Sequence, residues 1–150
     1  FYFTPIDFNK IFHFLKRCIL FLIAFNPAIT SWDSEFFYDR ARRIGEPGLS
    51  MSDWQPPFYV FILSILIRIC DHPSFLVILQ CLYFSTVFVD GILYFAGKGI
   101  SKKILAVIYC FIAFGISNII QMVTIWHDIP YMISILWLTI LLIKYVLDTK

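Results

Sequence analysis

The chain has 150 residues, of which 60% are hydrophobic, 19% aromatic and only 15% charged. A soluble domain carries about 25% charged residues and a disordered one far fewer apolar residues, so both classes are excluded. Lys and Arg number 12 against 10 Asp and Glu, too even a balance for a nucleic-acid-binding surface. What remains is an all-α, polytopic membrane protein. The chain reads as one N-terminal fragment, residues 1–150, of a longer one.

The first candidate span runs over about residues 12–30. Lys16 and Arg17 stand near its start and Asn26-Pro27 near its end. A polar loop follows over residues 31–57, the one substantial polar segment. It holds Asp33, Glu35, Asp39, Glu46 and Asp53 against Arg40, Arg42 and Arg43. Ser31 or Asp33 is placed to cap a short helix running through Arg43, with Gly45 ending it. Phe36, Phe37, Ile44 and part of Tyr38 would give that helix a membrane-facing side.

Pro56-Pro57 then opens a short apolar run to Ile69, closed by Arg68 and Asp71. Proline is favoured in a first helical turn. The run is too short to cross, so it predicts a juxtamembrane helix over about residues 57–70. Arg68 is free to pair with Asp71 or to meet a lipid phosphate. Three long apolar segments follow, over about residues 75–97, 104–123 and 129–147. With the first span they make about four crossings.

With a cytoplasmic N-terminus this topology places Lys10, Lys16, Arg17, Lys98, Lys102, Lys103, Lys144 and Lys150 inside. Arg40, Arg42, Arg43 and Arg68 fall outside, in the sense of the positive-inside rule. Five spans with an external N-terminus satisfy that rule equally. The short run, Arg68 at its end and the Lys16-Arg17 pair favour four.

Cys18, Cys70, Cys81 and Cys110 stand singly in apolar surroundings and read as small hydrophobic side chains. His13 and His72 read as interfacial, and Trp54, Trp126 and Tyr131 as an aromatic belt. Asp90 lies inside a span, where it faces a water-filled gap or pairs with a lysine.

Two polar spots are the functional candidates. Asp33 and Glu35 lie beside Trp32 at the membrane surface, where a carboxylate can act as a general base or bind a divalent cation such as Mg or Mn. His127-Asp128 lies between the last two spans and, with four spans, faces the same side. It either ends one helix and caps the next or converges with Asp33 and Glu35 on one site.

The order of these features resembles the N-terminal part of the GT-C glycosyltransferases. The branches are the protein O-mannosyltransferases, the aminoarabinose transferases and the Rgt-like enzymes. Trp32-Asp33-Ser34-Glu35, with Tyr38 following, stands where those families carry an acidic pair in the first external loop. Trp54-Gln55-Pro56-Pro57-Phe58-Tyr59 stands where they carry a Pro-Pro-Leu-Tyr-like motif. The family's adjacent Asp-Glu is split here by Ser34, so either Asp33 or Glu35 is the base. The acidic-plus-basic pair before Pro-Pro is replaced by Trp54-Gln55, with Asp53 one place earlier.

The resemblance implies a sugar moved from a polyprenyl-phosphate donor to a hydroxyl of a lipid, glycan or protein acceptor, with inversion. It implies the bacterial plasma membrane, with the site facing outward. Asp33 and Glu35 would be catalytic. Pro56, Pro57 and Tyr59 would shape the site's roof, with Tyr38, Asp53, Gln55, His127 and Asp128 around the donor. Arg40, Arg43 and Arg68 are among the cations placed to meet the lipid phosphate. The alternatives are a transporter or lipid-carrier flippase subunit, in which Asp90 and Gln80 would line the pathway, and an assembly module without chemistry.

Overall fold

The computed structural model describes residues 28–46 and 56–149, together with Lys16, Leu20 and residues 23–26. Six helices form over these residues: α1 Trp32–Arg42, α2 Pro57–Ile69, α3 Pro73–Gly97, α4 Lys102–Phe114, α5 Ile116–Val123 and α6 Asp128–Asp148.

Helix α1 starts at Ser31 through a capping box. The Ser31 hydroxyl accepts from the Ser34 amide and the Ser34 hydroxyl accepts from the Ser31 amide, both at 3.2 Å. Asp33 and Glu35 in its first turn and Arg40 and Arg42 in its last complement the helix dipole. Gly45, with φ +97°, turns the chain away through the left-handed region. The stripe Ser34, Phe37, Tyr38 and Ala41 is buried. It faces α2 and the segment before α6 rather than the membrane, so the expected membrane-facing side of α1 is an internal packing surface.

Helix α2 begins where Pro57 fixes the first turn; the Pro56 carbonyl accepts from the Tyr59 and Val60 amides at 3.0 and 3.2 Å. Its 13 residues span about 20 Å, short of the roughly 30 Å hydrocarbon core. Val60, Leu63, Ser64 and Ile67 are buried, while Phe58, Phe61, Ile62, Ile65 and Ile69 point outward. That is one helical stripe in and one out, both apolar.

Helices α3 and α6 are long and apolar enough to cross a membrane. They run parallel, since Tyr83, Asp90 and Lys98 meet Ser134, Lys144 and Asp148 in that order. The expected span over residues 104–123 is broken. Lys102–Ile112 and Ser117–Val123 bend by 58° about Gly115, so they make at most one bent crossing. Two helices, or three with that pair, are therefore candidate spans among the described residues. The expected first span, over residues 12–30, lies mostly outside them.

The core is one apolar cluster. Leu76, Val77, Cys81, Phe84, Val87 and Phe88 of α3 pack with Met122, Val123, Ile125, Ile129, Ile133 and Ile140. Phe84 stacks on Phe88 at 5.8 Å and Phe88 on Tyr109 at 6.1 Å. Helix α2 packs on α1 rather than along α3. Its first turn meets His127, just before α6, and its last residue is three residues from the start of α3. Both ends of α2 thus lie near the end of the bundle where α3 and α6 begin.

Candidate functional site

An irregular backbone segment inside an apolar protein must find partners for its amides and carbonyls. Residues 124–127, between α5 and α6, find them in two places. On one side Ile29 forms a parallel bridge with Thr124: the Ile29 amide donates to the Val123 carbonyl at 3.1 Å and the Ile125 amide to the Ile29 carbonyl at 3.0 Å. The buried Ser34 hydroxyl donates to the Ile125 carbonyl. On the other side the Gln80 amide donates to the carbonyls of Met122 and Thr124 at 3.0 and 3.1 Å.

These bonds seat the first turn of α1, with Trp32, Asp33 and Glu35, on the segment that leads into His127-Asp128. The backbone of the first turn of α1 thus lies against the segment that precedes His127-Asp128. The His127 ring lies 5.1 Å from that of Phe37 on α1 and 6.0 Å from that of Tyr59 on α2, and those two rings meet edge-on at 5.9 Å. His127 Nε2 contacts Asp128 Oδ1 at 3.1 Å. Its Nδ1 is buried without a hydrogen-bond partner among the described residues. Neither residue caps α6 through its side chain.

The two first-turn carboxylates differ. Glu35 accepts from the Thr30 hydroxyl at 3.1 Å. Asp33, partly exposed, has no hydrogen-bond or ion-pair partner among the described residues. Asp33, Phe36 and Arg40 follow one another at helical spacing along one flank of the buried stripe. The Arg40 guanidinium lies over the Phe36 ring at 5.0 Å.

The remaining candidates are held elsewhere. Tyr38, 8% exposed, donates to Asp71 Oδ1 at 2.8 Å. Arg42 grips the same carboxylate through Nε and Nη2, at 2.8 to 3.1 Å, with its guanidinium 4.6 Å from the Tyr38 ring. Arg42 and Tyr38 together hold the Asp71 carboxyl below its ordinary range. Burial, then the bond to Asp71, pushes the Tyr38 phenol up to about 12. Asp71 is therefore not the partner of Arg68. Among the described residues Arg68 has no ion-pair partner, and it lies about 13 Å along α2 from Tyr59, away from Asp33.

Arg43 pairs with Glu46 at 2.8 Å and with Asp39 at 3.7 Å. The Tyr59 phenol, enclosed beside His127, is pushed up to about 12 by burial. Pro56 and Pro57 start α2 on this same face, while Asp53 and Gln55 lie outside the described residues. His72 caps α3, its Nδ1 accepting from the Ser74 amide at 3.3 Å. No three His, Cys, Asp or Glu side chains cluster as a metal site among the described residues.

Ser34, Gln80 and Asp71 organise this end of the molecule; the sequence offers Gln80 only as a pathway residue of the transporter alternative, and Ser34 and Asp71 not as site residues. The Ser31-x-x-Ser34 spacing was a signal for the cap alone. The partners of Gln80 and Asp71 are 29 to 44 residues away and leave no local pattern. Asp90 pairs with Lys144 at 2.6 Å, and Gln80 donates to backbone carbonyls.

No family model matches the chain, and neither a curated protein nor a solved structure matches it.

Proposed function

We propose that the chain is part of a membrane glycosyltransferase that moves a sugar from a polyprenyl-phosphate donor to an acceptor hydroxyl. The observation that carries the reading is the seating of Asp33, an uncommitted carboxylate, on the backbone segment that delivers His127-Asp128. It lies at the end of the bundle where α2 keeps its apolar outer stripe.

The chemistry follows from that placement. A sugar phosphate on a lipid presents its anomeric carbon at the membrane surface. An acceptor hydroxyl is a weak nucleophile and needs a positioned base, which Asp33 supplies. Glu35, already holding the Thr30 hydroxyl, orients the first turn. Attack on the anomeric carbon breaks its bond to the phosphate oxygen, inverts the configuration and leaves a lipid phosphate. That group departs as an anion and needs a cation near it. Arg40, two turns from Asp33 on the same flank of α1, serves better than Arg68 at the far end of α2. Among the described residues no three His, Cys, Asp or Glu side chains come together as a metal-ligand set.

The test is transfer from a polyprenyl-phosphate sugar by membranes carrying the complete protein. Asp33→Asn keeps the side chain's shape and removes the base. It is expected to lower turnover by about 100-fold or more, with Glu35→Gln affected less. Full activity of Asp33→Asn would overturn the reading.

A further inference from the structure

Helix α3 carries Asp90, Tyr94 and Lys98 at intervals of four, hence on one face, and α6 carries Lys144 and Asp148 at the same interval. The two sets meet. Lys144 Nζ lies 2.7 and 2.6 Å from the Asp90 oxygens, and Lys98 Nζ 2.7 Å from Asp148 Oδ1. Tyr94 sits between the rungs. Its ring is 5.6 Å from Lys98 Nζ and 5.3 Å from Lys144 Nζ, and its hydroxyl donates to Asp148 at 3.1 Å. Beside the inner rung Gly91 leaves room for Ile140, whose Cδ1 lies 2.8 Å from where a Cβ would stand. Elsewhere α6 holds α3 through Ile129, Ile133 and Ile140, while Tyr131, Met132, Leu138, Leu142 and Tyr145 are all more than half exposed.

The order of signs matters. Along α3 the acid comes first and the base second; along α6 the base comes first and the acid second. The rungs match only when the helices run parallel in this register. Sliding α6 one turn one way sets Asp148 toward Asp90, and sliding it the other way sets Lys144 toward Lys98. Either slide leaves like charges facing each other in apolar surroundings. We propose that these five side chains are a register lock, coded by polarity, that fixes α6 on α3 and so fixes the helix that begins at Asp128. The lock is independent of what reaction the other end of the molecule performs.

The test uses the full chain in its membrane with the native cysteines replaced and the pair Gly91→Cys/Ile140→Cys introduced, followed by oxidation. The disulfide is expected to form. Asp90→Lys or Lys144→Asp alone is expected to reduce its yield at least about fivefold, and the combined Asp90→Lys/Lys144→Asp swap to restore it to within about twofold. If either single variant fails to accumulate, recovery of both accumulation and cross-link in the swap is the supporting result. No cross-link in the parent pair, no loss in accumulated single variants, or no recovery in the swap would overturn the lock.

Discussion

Asp71 sits two residues before the start of α3, and it ties α1 to the link between α2 and α3. Its partners differ in kind. Arg42 and Asp71 are both about half exposed, 49% and 47%, so their ion pair contributes about 0.2–1 kcal/mol despite its fork geometry. Tyr38 is buried, and its hydroxyl would lose a partner without Asp71, at a cost of about 1–3 kcal/mol. Tyr38 is therefore the more consequential partner. The sign of the pH dependence follows. Asp71 titrates below its unfolded value, so its contribution is present above about pH 4 and is lost as the pH falls through the lowered folded value. Tyr38 titrates above its unfolded value, so its contribution holds below about pH 10 and is lost on the way to about 12. Melting of detergent-solubilised protein across pH is expected to weaken at both ends. Asp71→Asn is expected to flatten the acid limb, and an unchanged acid limb would contradict the assignment.

At the scale of elements, the break between α5 and α6 depends on α3. Gln80 is the donor for two carbonyls that would otherwise face apolar neighbours. Gln80→Leu is expected to destabilise the fold by about 1–3 kcal/mol, seen as a lower melting temperature. Gln80→Glu, whose carboxylate cannot donate, is expected to do at least as much harm. A melting temperature unchanged in both variants would show that the carbonyls have other partners. The start of α2 was legible because Pro56-Pro57 states it in two residues, and α3 and α6 because each is a long apolar run. The kink about Gly115 was not, because Ser117, Asn118 and Gln121 read as polar interruptions near one end of a span and a single glycine inside an apolar stretch is ambiguous. The membrane-facing side expected of α1 failed for a related reason. An amphipathic pattern says that Phe37 and Tyr38 are covered, not whether lipid or another helix covers them. That the loop carrying Asp33 lies on the side of the segment before α6 is an expectation of topology. The bond from Ser34 to Ile125 spans 91 residues and had no local signature.

For the whole molecule, the placement of α2 is what a topology measurement reads. Its first turn touches the entry to α6 and its last residue leads into α3, as in a helix that returns to the side it left. Impermeant thiol labelling is expected to reach cysteines at Glu46 and Trp126 from one side of the membrane and at Lys102 from the other. Labelling of Glu46 and Trp126 from opposite sides would make α2 a crossing. It would also separate Asp33 from Asp128 in the complete protein, and the proposed transferase site would fall with it.

The parallel course of α3 and α6 has an electrical consequence. Antiparallel neighbours cancel one another's peptide dipoles; these two add. Each helix brings roughly half a unit of positive charge to its first turn and the same negative charge to its last, and hydrocarbon screens neither. The first turns of both helices thus add their partial positive charges at the rim that holds Asp128. At the opposite rim the summed carbonyl ends meet Lys98 and Lys144. The peptide dipoles of α3 and α6 therefore reinforce one another, so the starts of these two helices share one sign of backbone charge and their ends the other.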